Sequence, residues 1–110
     1  MTGFRKVVIL QSAKSDYQRI KSYVTQKFGV QTWLEINNEW KAKLNKLAVN
    51  PALGSNIAEL EGTGFTGFKK YHHKNAYVVY QASEALLAVY MFIPSKRDFR
   101  QHLMDRLLSA

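Results

Sequence analysis

Two long helical patterns separated by one glycine fill the first half of the chain. Apolar residues recur at steps of three and four over residues 13–28 and again over residues 33–47, which is the spacing of one face of an α-helix. Gly29 is typical of a helix end, and Asn50-Pro51 stops the second helix because proline lacks an N–H donor. Two helices joined by a short turn pack antiparallel, so the pattern predicts a helical hairpin. The candidate N-cap residues are Ser12 or Ser15 for the first helix and Thr32 for the second.

Shorter segments around this hairpin have the composition of β-strands. Such runs, which are rich in β-branched and aromatic residues and in part alternate with polar ones, occur at residues 4–10, 57–61, 68–74, 77–81 and 86–93. A last amphipathic pattern at residues 99–108 predicts a short C-terminal helix.

The order of these elements predicts an α+β domain. It comprises an N-terminal strand, an antiparallel helical hairpin, a three- to four-stranded mainly antiparallel sheet and a short C-terminal helix. The chain of 110 residues shows no repeat and no linker, so we expect a single domain over residues 1–110. Trp33 and Trp40 lie two helical turns apart on one face and are expected to pack in the core.

The composition excludes several classes of protein. There is no cysteine, which excludes a disulfide scaffold, a thiolate zinc site, an iron–sulfur cluster and a cysteine nucleophile. The longest apolar run, residues 85–93, is far shorter than the roughly 20 residues of a membrane span. We therefore expect a cytoplasmic protein with no cofactor, no metal and no membrane partner.

The charge balance points to an anionic partner. The formal net charge is +8, and residues 1–30 carry six basic residues against one acidic residue. Such an excess suits nucleic acid, a ribosome or an acidic protein. The alternative is a solvated basic surface that only aids solubility.

A glycine-rich stretch at residues 62–67 matches the pattern G-x-G-x-x-G. The dinucleotide-binding form of this pattern must open a helix, whereas here a predicted strand follows. We therefore interpret the stretch as a turn between strands.

A dense basic cluster occupies the strand that follows. Alternation along a strand predicts that Lys70, His72 and Lys74 share one face, and that Lys69 and His73 share the other face with Tyr71. Either face could meet phosphates, and lysines on an edge strand could instead serve to block aggregation. A metal site at His72 and His73 is not expected, since adjacent strand residues point apart.

A second polar group lies where the last strand meets the C-terminal helix. Arg97 and Arg100 could bind a phosphate or a carboxylate. Asp98 suits a helix N-cap, and His102 at the helix edge is more typical of a structural residue.

Five motifs in order along the chain resemble the RelE/ParE superfamily of toxins from type II toxin–antitoxin systems. The first-helix segment at residues 12–23 is similar to the family's Ala…Asp-Leu…Ile…Tyr pattern. Asn50-Pro51-Ala52-Leu53-Gly54 is similar to its Pro-x-x-Gly turn. The remaining motifs are Glu59-Leu60 followed by Gly67-Phe68-Lys69-Lys70, the strand Tyr77-Val78-Val79-Tyr80, and Lys96-Arg97-Asp98 before the last helix.

The resemblance implies one of two activities. RelE-like members cut mRNA on the ribosome, and in that case the candidate catalytic residues are Lys70, His72, Arg97 and His102. ParE-like members bind DNA gyrase and are not enzymes. Tyr77 stands where the cutting branch has a sheet arginine, and Leu103 stands near its terminal tyrosine. These departures favour the gyrase-binding branch.

For the gyrase-binding branch, the resemblance implies a toxin that is neutralised by a cognate antitoxin. That partner is a separate acidic chain that covers the helices and a sheet edge. The candidate target-binding residues are Lys96, Arg97, Arg100, Lys69 and Lys74. A further alternative is a non-toxic basic domain that binds nucleic acid through Phe68 and Tyr71.

Overall fold

The protein is an α+β domain, as predicted, and the computed structural model describes residues 5–109. The strands are β1 (Lys6–Ile9), β2 (Ser55–Asn56), β3 (Lys69–His73), β4 (Ala76–Ala82) and β5 (Leu86–Pro94). The α-helices are α1 (Gln11–Phe28), α2 (Val30–Val49) and α3 (Phe99–Leu108), and two short 3₁₀ turns span Pro51–Leu53 and Ala58–Leu60. None of the helices in this part of the chain is long and apolar enough to cross a bilayer.

One mixed sheet of five strands has the order β1-β5-β4-β3-β2. β1 pairs with β5 in parallel, and the other neighbours pair antiparallel. Four strands therefore follow the hairpin, which is the upper end of the predicted range. Phe4, which the sequence placed in the first strand, lies outside the described residues.

The predicted helical hairpin is confirmed, and Gly29 is the single residue between α1 and α2. Gly29 has a φ of 98°, a left-handed value that glycine adopts readily. The predicted N-caps are wrong. Leu10 still donates to Val89 of β5 (3.0 Å), so the strand leads directly into α1, and the Ser12 hydroxyl instead donates to the carbonyl of Tyr90. Thr32 lies inside α2, because that helix begins immediately after Gly29.

The hairpin packs on one face of the sheet. Trp33 and Trp40 are buried there, as predicted, with 5% and 1% of their surface exposed. Trp40 and Tyr17 both contact the ring of Phe92 on β5. These large aromatic contacts fix the position of both helices on the strands.

The other face is covered by α3 and by the segment after β2. Ile57 and Leu60 are both buried in this second core with Leu103 of α3. The predicted strand at residues 57–61 is wrong, because a 3₁₀ turn at Ala58–Leu60 brings these two apolar side chains onto one side at a spacing of three residues. The strand of this region is the shorter β2.

Candidate functional site

A cleft of about 860 Å³ opens between α1, the β3–β4 turn, the loop after β5 and α3. We call it the basic cleft, because cations dominate its rim. Its lining includes the cations Arg19, Lys74, Lys96 and Arg97, the aromatic residues Tyr23, Phe28 and Phe92, and also Asp16 and His102.

The inner wall of the basic cleft depends on a buried carboxylate. β1 ends at Ile9, which pairs with Val89, so the next part of β5 has no strand beside it on this edge. Asp16 occupies the position instead, and its Oδ2 accepts a hydrogen bond from the Phe92 N–H (3.1 Å). Asp16 is 4% exposed and therefore needs such partners.

Arg106 from α3 completes this arrangement. Its Nη1 donates to Asp16 Oδ1 at 2.7 Å. The side chain of Arg106 is only 24% exposed. The ion pair therefore joins α1, β5 and α3 at the base of the basic cleft.

His102 lines the basic cleft as a neutral group. Burial lowers its pKa, and the cations Arg106 and Arg97 lower it further against the opposing effect of Asp16. Its Nε2 atom is buried and has no hydrogen-bond partner among residues 5–109. The imidazole is therefore uncharged at neutral pH.

Tyr23 belongs to the rim. Its hydroxyl accepts a hydrogen bond from Lys27 Nζ at 3.2 Å. This bond lowers the pKa of Tyr23, and Lys96 lowers it further. The rim thus combines an aromatic ring with several positive charges, a surface suited to an anionic partner that also carries apolar groups.

The predicted target-binding residues do not all meet in this place. Lys74, Lys96 and Arg97 line the basic cleft. Lys69 lies on β3 beside the edge strand, where its Nζ donates to Asn56 (2.9 Å). Arg100 is exposed on α3 outside the lining.

Two of the four predicted nuclease residues line the basic cleft, and the other two lie on the neighbouring strand β3. Arg97 and His102 line the basic cleft, whereas Lys70 and His72 lie on the α3 side of the sheet. The Lys70 Nζ is 4.8 Å from the centre of the Phe99 ring. His72 Nε2 is 2.8 Å from the hydroxyl of Ser95, which itself lines the basic cleft.

Lys74 does not share a face with Lys70 and His72, so that part of the alternation is wrong. Lys74 has a φ of 54° and belongs to the turn after β3, where strand alternation no longer applies. Its Nζ lies 3.5 Å from Glu39 on α2. His73 contacts the same carboxylate (2.9 Å), and these two contacts lower the pKa of Glu39.

Two other sequence motifs have structural roles. Asp98 caps α3, since its Oδ1 accepts from the Gln101 N–H (3.1 Å), as expected. The glycine-rich stretch at residues 62–67 is a turn that leads into β3. Within residues 5–109, no three His, Asp or Glu side chains are grouped closely enough to hold a metal ion.

Sequence reasoning missed Asp16, Arg19, Tyr23 and Arg106. One signal was available for Asp16, because it follows Ala13 by three residues and precedes Ile20 by four on the buried stripe of α1. An acidic residue on an apolar helix face needs a buried partner. No comparable signal exists for the other three residues.

Comparison with known proteins identifies a family of toxins. A family model described as the ParE toxin of type II toxin–antitoxin system, parDE, matches residues 7–99. The fold is similar to a solved structure described as "Chromosomal ParDE TA system from P. aeruginosa", with a TM-score of 0.64 and 9% identity over 83% of this chain and 96% of that chain. At this identity the likeness concerns the fold. No curated protein matches the chain.

Proposed function

Because the chain belongs to the ParE toxin family of type II toxin–antitoxin systems, we propose that it stops bacterial growth by binding DNA gyrase through the basic cleft. The observation that carries the proposal is the combination of four rim cations with aromatic side chains in one concave surface. A protein surface that carries carboxylates beside an apolar side chain complements it.

Lys96 and Arg97 are the central contacts in this proposal. Both are exposed on the loop between β5 and α3, so a large partner reaches them without rearrangement. A guanidinium binds a carboxylate through two parallel hydrogen bonds, whereas an ammonium acts as a point charge. Arg97 is therefore assigned the directional contact and Lys96 the long-range attraction.

The surroundings of Lys70 and His102 support a toxin that does not cut RNA. General acid–base chemistry needs its groups within hydrogen-bond reach of one reacting centre. Lys70 faces aromatic rings on the α3 side, whereas His102 is a half-buried neutral imidazole of the cleft whose Nε2 atom is buried. Binding without cleavage needs no such constellation.

Neutralisation is assigned to a cognate antitoxin with an acidic segment. The joint of the hairpin offers an apolar surface, because Phe28, Val30 and Leu34 are 58%, 60% and 47% exposed. Phe28 also lines the basic cleft. An acidic chain that covers this joint therefore reaches the rim cations as well, and folds on contact.

The experiment is a supercoiling assay with purified gyrase and the full chain. We expect inhibition by the wild type, and a loss of at least about tenfold in potency for Lys96→Ala/Arg97→Ala, corresponding to about 1.4 kcal/mol of binding. The matched control is Lys41→Ala/Lys46→Ala, which removes two exposed charges from α2 and should stay within about twofold. Equal losses in both variants would contradict the role of the basic cleft, and absence of inhibition by the wild type would contradict gyrase as the target.

A further inference from the structure

The outer surface of α1 carries positive charge with no exposed negative charge. Its acidic residue, Asp16, is buried and bound to Arg106. Arg19 lies 3.6 Å from the same carboxylate but is 76% exposed. The exposed basic residues of this helix are Lys14, Arg19, Lys21 and Lys27.

Three of these cations, Lys14, Lys21 and Arg19, flank a ridge of uncharged polar residues. At 3.6 residues per turn, Ser15, Gln18, Ser22 and Gln26 form the outermost stripe of α1, and all four are exposed. Lys14 and Lys21 lie two turns apart on one side of the ridge. Arg19 lies on the other side, towards the basic cleft. Lys27 does not flank the ridge, because it follows the buried Ile20 by seven residues, or about two turns, on the same side of the helix.

We propose that α1 binds duplex DNA, with its ridge in the major groove, Lys14 and Lys21 against the phosphates of one groove wall and Arg19 against those of the other. This inference goes beyond gyrase binding and does not depend on it. The 18 residues of α1 span about 27 Å, and the major groove of B-form DNA, about 12 Å wide, admits one α-helix.

The chemistry of the ridge favours DNA over a protein partner. Protein interfaces depend on buried aromatic and aliphatic anchors, and the ridge offers amides and hydroxyls instead. Glutamine side chains can bond adenine through N6 and N7, and serine can bond several base edges. The exposed aromatic residues of α1, Tyr23 and Phe28, lie off the ridge near its C-terminal end.

The same geometry discriminates against duplex RNA. The major groove of an A-form helix is deep and narrow, so side chains cannot read it. Phosphate contacts alone would bind both duplexes in a similar way. A preference for DNA therefore distinguishes a helix in the groove from a general attraction of a basic protein to nucleic acid.

The test measures binding of the full chain to fluorescent 20-base-pair duplexes over a series of salt concentrations. We expect DNA to bind at least about tenfold more tightly than RNA of the same sequence. Replacing Lys14 and Lys21 by Gln should lower the slope of log K against log salt by about 1.8, since each lost phosphate contact removes about 0.9. The control Lys41→Gln/Lys46→Gln removes the same charge from α2 and should leave the slope within about 0.5.

A second variant tests the ridge itself. Gln18→Ala/Ser22→Ala keeps every charge and should remove at least about tenfold of the DNA preference while leaving the salt slope unchanged. The proposal is overturned if DNA does not bind, if DNA and RNA bind equally, or if the α1 and α2 lysine variants weaken binding to the same extent. Supercoiling inhibition is measured separately with the Lys96→Ala/Arg97→Ala variant. Failure of the DNA-binding proposal is therefore distinguishable from failure of the gyrase proposal.

Discussion

Asp16 is the residue on which the packing around the basic cleft depends most directly. Its two oxygens accept from a backbone N–H of β5 and from the guanidinium of Arg106. A buried carboxylate is tolerated only with such partners, and removing it leaves both donors unpaired. The charges on the exposed rim contribute far less to stability, because water screens them.

Asp16→Ala should therefore lower the free energy of unfolding by about 3 kcal/mol. Denaturant titration of the wild type and the variant measures this difference. Asp105→Ala is the matched control, since Asp105 is an exposed acid that bonds a neighbouring side chain on α3, and it should cost about 0.5 kcal/mol or less. Similar losses in the two variants would show that the buried ion pair does not fix these elements.

His102 makes stability depend on pH in a defined direction. Burial keeps its pKa below the ordinary value of about 6.5, so the unfolded chain binds the proton more readily than the folded one. Protonation of His102 therefore does not affect the free energy of unfolding well above pH 6.5, and it lowers that free energy as the pH falls below 6.5. His102→Gln should flatten this loss between pH 7.5 and 5, as measured by thermal unfolding. An unchanged profile in His102→Gln would contradict the assignment.

At the scale of elements, the long periodic helices were predictable and the short elements were not. Residues 13–28 and 33–47 carry many apolar positions at one period, and Gly29 marks the joint. β2 has two residues, too few for any period, and its place is set by pairing with β3. The predicted N-caps are wrong for a related reason. β1 leads directly into α1 and a single glycine precedes α2, so neither helix start has a loop that could hold a capping side chain.

Gly54 lies where the turn after α2 packs closely against the sheet. A methyl group at this position would overlap the Tyr80 hydroxyl and lie 2.9 Å from the Lys70 carbonyl oxygen. Tyr80 donates from that hydroxyl to the Pro51 carbonyl (2.6 Å). The turn after α2 therefore rests directly on β3 and β4.

Gly54→Ala should reduce the free energy of unfolding by about 1–3 kcal/mol, as measured by denaturant titration. In a Tyr80→Phe background the same substitution should cost less, because the nearest overlapping atom is gone. A double-mutant cycle gives this coupling directly. A cost that is the same in both backgrounds would mean that the clash with Tyr80 is not its source.

At the scale of the whole molecule, the family and half of the candidate site were predictable. The ordered motifs indicated the RelE/ParE superfamily, and the ParE family is confirmed. Lys96 and Arg97 follow the last strand, so their place at its end was readable from sequence. Arg19 and Tyr23 were not assigned, because the face that α1 turns towards that loop is decided by tertiary packing.

The proposed action of this chain on gyrase is tested most directly by pulse labelling after induction in a bacterium that lacks the cognate antitoxin. DNA and protein synthesis are followed side by side. We expect DNA synthesis to stop first while messenger RNA stays intact. If protein synthesis stops first with cleaved messages, the chain acts as a ribosome-dependent nuclease, and if growth is unaffected it is not a toxin. Either result would contradict gyrase-directed toxicity.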